Sequence, residues 1–83
     1  MSVLRSEHKK EFQKFVKNMK WFQSNYEKLR QLYAGQYVAV NDGKVVMHGE
    51  DARALVKELR GEYKDIGAFV IEFVSKEKIE LIL

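Results

Sequence analysis

The chain has 83 residues, of which 46% are hydrophobic and 33% charged, an ordinary globular composition that argues against wholesale disorder. It contains no cysteine, which excludes disulfides, thiolate zinc sites and cysteine nucleophiles. The net charge of +3 is uneven, because residues 1–30 carry eight basic and three acidic side chains. No apolar run approaches the ~20 residues of a membrane span, and the first residues do not resemble a signal peptide. We therefore expect one cytoplasmic domain over 1–83 that does not bind membranes.

The first third of the chain predicts an amphipathic helix over residues 5–33. Its apolar residues recur at alternating intervals of three and four, which is a heptad stripe: Phe12, Phe15, Met19, Phe22, Tyr26, Leu29 and Tyr33. Ser24 and Glu27 fit a capping box, so a break near residue 24 is the alternative. The unbroken stripe favours a continuous or slightly kinked helix that ends at Gly35.

A β-hairpin follows the helix. Asp42-Gly43 is a strong signal for a two-residue type I′ turn between strands that start near Tyr37 and end near His48. A regular ladder from this turn places Val38, Val40, Val45 and Met47 on one face, which we assign to the core. It places Tyr37, Ala39, Val46 and His48 on the other face.

The remaining elements complete a ββαββ portion over residues 36–83. A second helix is capped by Glu50 or Asp51 and presents Leu55 and Leu59 on its apolar face. Residues 68–74 and 78–83 read as two further strands. The element order α-β-β-α-β-β predicts an α+β fold with a mainly antiparallel sheet in the order 2-1-3-4, in which the shorter helix forms the crossover.

The segment from residue 33 to residue 49 resembles a family of small prokaryotic proteins of unknown function. The resemblance lies in Tyr33-x-Gly35-x-Tyr37-Val38-Ala39-Val40 and in Asp42-Gly43-x-Val45-Val46-x-His48-Gly49. These motifs describe a helix end, a hairpin and a turn, so the resemblance implies a fold and no activity. It also associates the chain with toxin–antitoxin gene neighbourhoods.

No pattern in the sequence indicates catalysis. His8 and His48 are the only histidines, and no metal-binding spacing, phosphate-binding loop or activated nucleophile accompanies them. Glu72 interrupts an apolar strand, and we expect it to be solvated or paired with a lysine. We therefore predict no enzyme activity, no catalytic or metal-binding residues, no cofactor and no small-molecule ligand.

Two surfaces of the long helix are candidates for function. The first is a basic outer face that could contact phosphates, formed by Lys10, Lys14, Lys17 and Lys20. The second is the start of the aromatic stripe, formed by Phe12, Phe15, Met19 and Phe22.

The aromatic stripe favours a protein partner. A helix of about 28 residues is ~42 Å long, whereas strands of five or six residues span only ~17–20 Å, so its first half should overhang the sheet. A homodimer or another protein would cover the overhang, unless the helix breaks near Ser24 and folds back over its own sheet. We therefore expect a non-catalytic protein-interaction or regulatory module. A small nucleic-acid-binding protein that uses the basic helix is the alternative.

Overall fold

The computed structural model describes residues 2–76, with side chains from residue 10 onward. In chain order the elements are α1 (Ser2–Ser24), α2 (Tyr26–Tyr33), β1 (Gln36–Asn41), β2 (Lys44–Gly49), α3 (Ala52–Glu62) and β3 (Val70–Val74). The α+β class and the antiparallel sheet are confirmed. The strand predicted over residues 78–83 lies outside the described residues and stays a prediction.

The N-terminal helical segment is kinked at Asn25. The backbone of Asn25, at φ −109° and ψ 13°, leaves the helical region and separates α1 from α2. Hydrogen bonds of helical spacing still cross the joint, since the Asn25 amide donates to the Trp21 carbonyl at 3.0 Å and the Leu29 amide donates to the Asn25 carbonyl at 2.9 Å. The segment is therefore the kinked helix that the sequence favours, with its joint one residue after Ser24, and it does not fold back on itself. Gly35, at φ +82°, follows the end of α2 as predicted.

The hairpin turn is confirmed in detail. Asp42 and Gly43 both have positive φ, at 52° and 69°, which is the signature of a type I′ turn. Asn41 pairs with Lys44 across the turn, and Val40 pairs with Val45.

Beyond Val45 the predicted register of β2 is wrong. The ladder contains a β-bulge, because Val40 pairs with Val45 but Ala39 pairs with Met47, which leaves Val46 as an extra residue. Because side chains alternate along a strand, one extra residue reverses every later side chain. Met47 consequently packs on the face opposite Val38.

The sheet has the strand order β2-β1-β3, with β1 antiparallel to both neighbours. This agrees with the first three positions of the predicted order. The helix α3 is the crossover between β2 and β3, and Asp51 caps its start. The Asp51 carboxylate accepts hydrogen bonds from the Arg53 amide at 2.9 Å and the Ala54 amide at 3.4 Å.

Each face of the sheet carries its own apolar layer. On the first face Val38, Val40, Val70 and Val74 pack under Phe22 of α1 and Leu29 of α2. On the second face Ala39 packs under Leu55 and Leu59 of α3, with Met47 and Ile71 at the margins. The central strand β1 is therefore apolar on both sides, which suits a strand that lies between two helical layers.

Candidate functional site

The face of α1 that contacts the sheet is not the predicted heptad stripe. Asn18 and Phe22 are 4% and 8% exposed, whereas Phe12 is 66% exposed. At 3.6 residues per turn, Phe12 lies about 100° around the helix from the midpoint between Asn18 and Phe22. The helix is thus rotated so that part of the stripe points away from its own sheet.

The four predicted interface residues divide into two pairs. Phe22 belongs to the core, and Met19 is half-buried against it. Phe12 and Phe15 remain exposed, and Val16 beside them is half-buried. We refer to Phe12, Phe15 and Val16 as the aromatic strip.

The buried polar residue Asn18 holds α1 against the end of the hairpin. Its side-chain amide donates to the Ala68 carbonyl at 2.8 Å and to the Asn41 side-chain oxygen at 3.1 Å. Its side-chain oxygen accepts from the Asp42 amide at 3.1 Å. These three bonds satisfy the side chain and join α1, the hairpin turn and the loop before β3.

The predicted basic residues Lys10, Lys14, Lys17 and Lys20 are all exposed. Lys10, Lys14 and Lys17 line a depression between α1 and the hairpin turn, whereas Lys20 does not. None of the four forms an ion pair within the part of the chain that the structure describes.

Three adjoining cavities follow this flank of the helices. The first, of about 550 Å³, contains Lys10, Lys14 and the neighbouring Tyr63 and Phe69. The second, of about 350 Å³, shares Lys14 with the first and is bordered by Lys17 and Trp21.

The third cavity, of about 290 Å³, shares Trp21 and Gly43 with the second, and Lys28, Tyr33 and Lys44 line it. Each cavity shares lining residues with the next, and we call the row of three the lysine groove. It extends along α1 and α2 from Lys10 to Tyr33.

The opposite side of the molecule carries a second basic surface. Arg53, Lys57 and Arg60 of α3 flank a depression of about 410 Å³ whose floor is Ala52 and Val56. Because α3 covers the other face of the sheet, this surface is separate from the lysine groove.

The histidine and the acid singled out in the sequence have ordinary surroundings. His48 is exposed, its ring nitrogen lies 2.7 Å from the Gln36 side-chain oxygen, and its ring packs on Tyr33 with centroids 4.6 Å apart. Glu72 is exposed on β3. Within the described residues, no group of three or more His, Asp or Glu side chains is placed to hold a metal ion. The same residues contain no helix both long and apolar enough to span a bilayer.

The comparison with known families decides where the chain belongs. The model of a family of unknown function, DUF5678, matches residues 28–77. The chain belongs to DUF5678. The match covers α2 from its third residue, the hairpin, α3 and β3, whereas α1 precedes it, and the family carries no assigned function. No curated protein and no solved structure matches the chain.

The fold brings together residues that the sequence did not mark as candidates. They are Asn18, Trp21, Tyr63 and Phe69. The one signal for the first two is that Asn18, Trp21 and Asn25 share a helix face with spacings of three and four.

Proposed function

We propose that the protein is a non-catalytic interaction module that self-associates through the aromatic strip. The observation that carries this proposal is the exposure of two phenylalanines one turn apart, 66% for Phe12 and 36% for Phe15, on a helix whose other side is packed. Each square ångström of apolar surface left in water costs about 25 cal/mol, so covering these rings is favourable.

A second copy of the chain fits the strip for two reasons. Phe15 and Val16 lie three and four residues after Phe12, which is the spacing that places side chains side by side on one helix face and lets two helices interlock. A two-fold axis would place the strip of one copy against the same strip of the other, which is the commonest arrangement in homo-oligomers.

Most of the lysines of α1 lie away from the strip. Lys10 and Lys14 lie in the lysine groove, on the flank of α1 away from Phe12, whereas Lys17 lines both the groove and a depression that it shares with Phe12 and Val16. A dimer through the strip therefore keeps Lys10 and Lys14 of the two copies apart and leaves Lys17 at the edge of the interface, where solvent screens its charge.

The test is sedimentation equilibrium of the wild type, of Phe12→Glu and of the matched control Gln31→Glu. Both substituted positions are exposed, so neither variant should unfold, and both add one negative charge to the N-terminal helical segment. We expect a wild-type dimer at tens of micromolar, a folded monomer for Phe12→Glu and a dimer for Gln31→Glu. A monomeric wild type at this concentration, or equal behaviour of the two variants, would refute the proposal.

A further inference from the structure

We propose that the lysine groove binds single-stranded nucleic acid. This goes beyond self-association and uses a different flank of α1. It rests on three observations: the charges that line the groove, the aromatic side chains between them, and the lining residues that adjoining cavities share.

The groove is lined by more basic than acidic side chains, and its lysines can bind a ligand. Five lysines line it: Lys10, Lys14, Lys17, Lys28 and Lys44. None has an ion-pair partner within the described residues. Unpaired lysines along a groove are the arrangement that neutralises a phosphate backbone.

The acidic residues of the groove are fewer and are clustered at one end. Glu11, Asp42 and Asp65 all line the first cavity, and only Asp42 extends into the second. Asp65 already accepts a hydrogen bond from the Gly67 amide at 2.9 Å, and Glu11 lies against Gly67. Two lysines face three acids in the first cavity, two face one acid in the second, and two face none in the third, so the lining becomes more basic toward Lys28 and Lys44.

Aromatic side chains occur at both ends and in the middle of the groove. Tyr63 and Phe69 form an edge-to-face pair with centroids 5.1 Å apart at the first cavity. Trp21 lies between the second and third cavities, and Tyr33 borders the third. All four are half-buried, so each is held by the fold while part of the side chain stays accessible.

Lysines that alternate with held aromatic rings favour a single strand over a duplex. Bases of a single strand can leave the stack and lie on aromatic side chains, whereas bases of a duplex are paired and inaccessible. From Lys10 to Lys28 the helical segment rises about 27 Å, enough for several nucleotides. An acidic protein segment would use the lysines but not the rings.

The natural probe is Trp21, the single tryptophan of the chain. Titration with an oligothymidylate of about ten nucleotides at ~50 mM salt should quench its fluorescence saturably. If each of the five lysines neutralises one phosphate, log K should fall against log salt with a slope of about −3.5. A duplex of the same length and a polyglutamate should both bind at least about tenfold more weakly.

A charge-matched pair of variants locates the site. Lys14→Glu with Lys17→Glu should weaken binding at least about tenfold and reduce the salt slope to about −2. Arg53→Glu with Lys57→Glu makes the same charge change on α3. This control should leave both the affinity and the salt slope near their wild-type values. Phe12→Glu should bind normally, because Phe12 lines none of the three cavities of the groove.

Several results would overturn the proposal. They are an absence of saturable quenching, equal losses in the two double variants, and polyglutamate or duplex binding as tight as the single strand.

Discussion

The side-chain oxygen of Asn18 accepts a hydrogen bond from the backbone amide of Asp42 at 3.1 Å. The two residues are 24 positions apart, and the bond ties the middle of α1 to the hairpin turn. Asn18 is 4% exposed, so water does not readily replace this partner if the side chain is removed.

Asn18→Ala should therefore destabilise the protein by at least about 2 kcal/mol, because it leaves the Asp42 amide and the Ala68 carbonyl without their side-chain partner. Urea unfolding followed by circular dichroism measures the change. Gln23→Ala removes an exposed amide from the same helix and should change stability by less than about 0.5 kcal/mol. Similar losses in the two variants would mean that the Asn18 bonds do not contribute.

Gly43→Val should destabilise the hairpin by roughly 1–2 kcal/mol, because a branched side chain resists positive φ. The Cβ itself is not crowded, since at Gly43 it would lie 3.7 Å from Trp21, an ordinary contact distance. Gly61 has no positive φ and open space around it, so the control Gly61→Ala should stabilise α3 by about 0.5–1 kcal/mol. Thermal melts distinguish the two, and a neutral Gly43→Val would contradict the turn assignment.

The bulge at Val46 predicts which core residues are energetically coupled to Met47. In double-mutant cycles with alanine, Met47 should couple to Leu59 by about 0.5 kcal/mol or more, because both belong to the layer under α3. Met47 should show no coupling to Val38, which lies in the other layer. The opposite pattern would indicate a regular hairpin without the bulge.

Asp51→Ala should lower stability by about 1 kcal/mol, which corresponds to a melting temperature about 4–8 °C lower in a domain of this size. The reason is the loss of the cap to the Arg53 and Ala54 amides. Asp51→Asn keeps an oxygen acceptor and should retain most of the stability. Glu50→Ala, at the alternative capping position, should have little effect, and a larger loss there would reassign the cap.

The hairpin illustrates what the sequence could and could not predict. The turn at Asp42-Gly43 follows from local backbone preferences, so its conformation and the Val40–Val45 pair were predictable. The bulge was not, because Val45 and Val46 are the same residue type and either fits either face. The apolar Met47 and the polar His48 give no hint of it either, because a regular ladder already places Met47 on the core face and His48 on the other face.

The candidate sites were likewise predictable only in part. Exposure of Lys10, Lys14, Lys17 and Lys20 was predictable from helical periodicity, which also identified the aromatic stripe. The rotation of α1 was not, because the hydrogen bonds of Asn18 override the apolar pattern. That rotation separates Lys20 from the groove and brings Lys14 next to the aromatic pair Tyr63–Phe69, from residues about 50 positions later in the chain.

The position of Trp21 beside Gly43, with which it lines two cavities, has a consequence for the order of folding. The helix α1 can form by local hydrogen bonds within microseconds, but the hydrogen bonds of Asn18 to the turn and to the loop before β3 join residues 24 and 50 positions apart. Helix formation and helix docking are therefore separable events. In stopped-flow refolding, far-ultraviolet circular dichroism would follow the first event, whereas the fluorescence of Trp21 would change only when the indole reaches the hairpin.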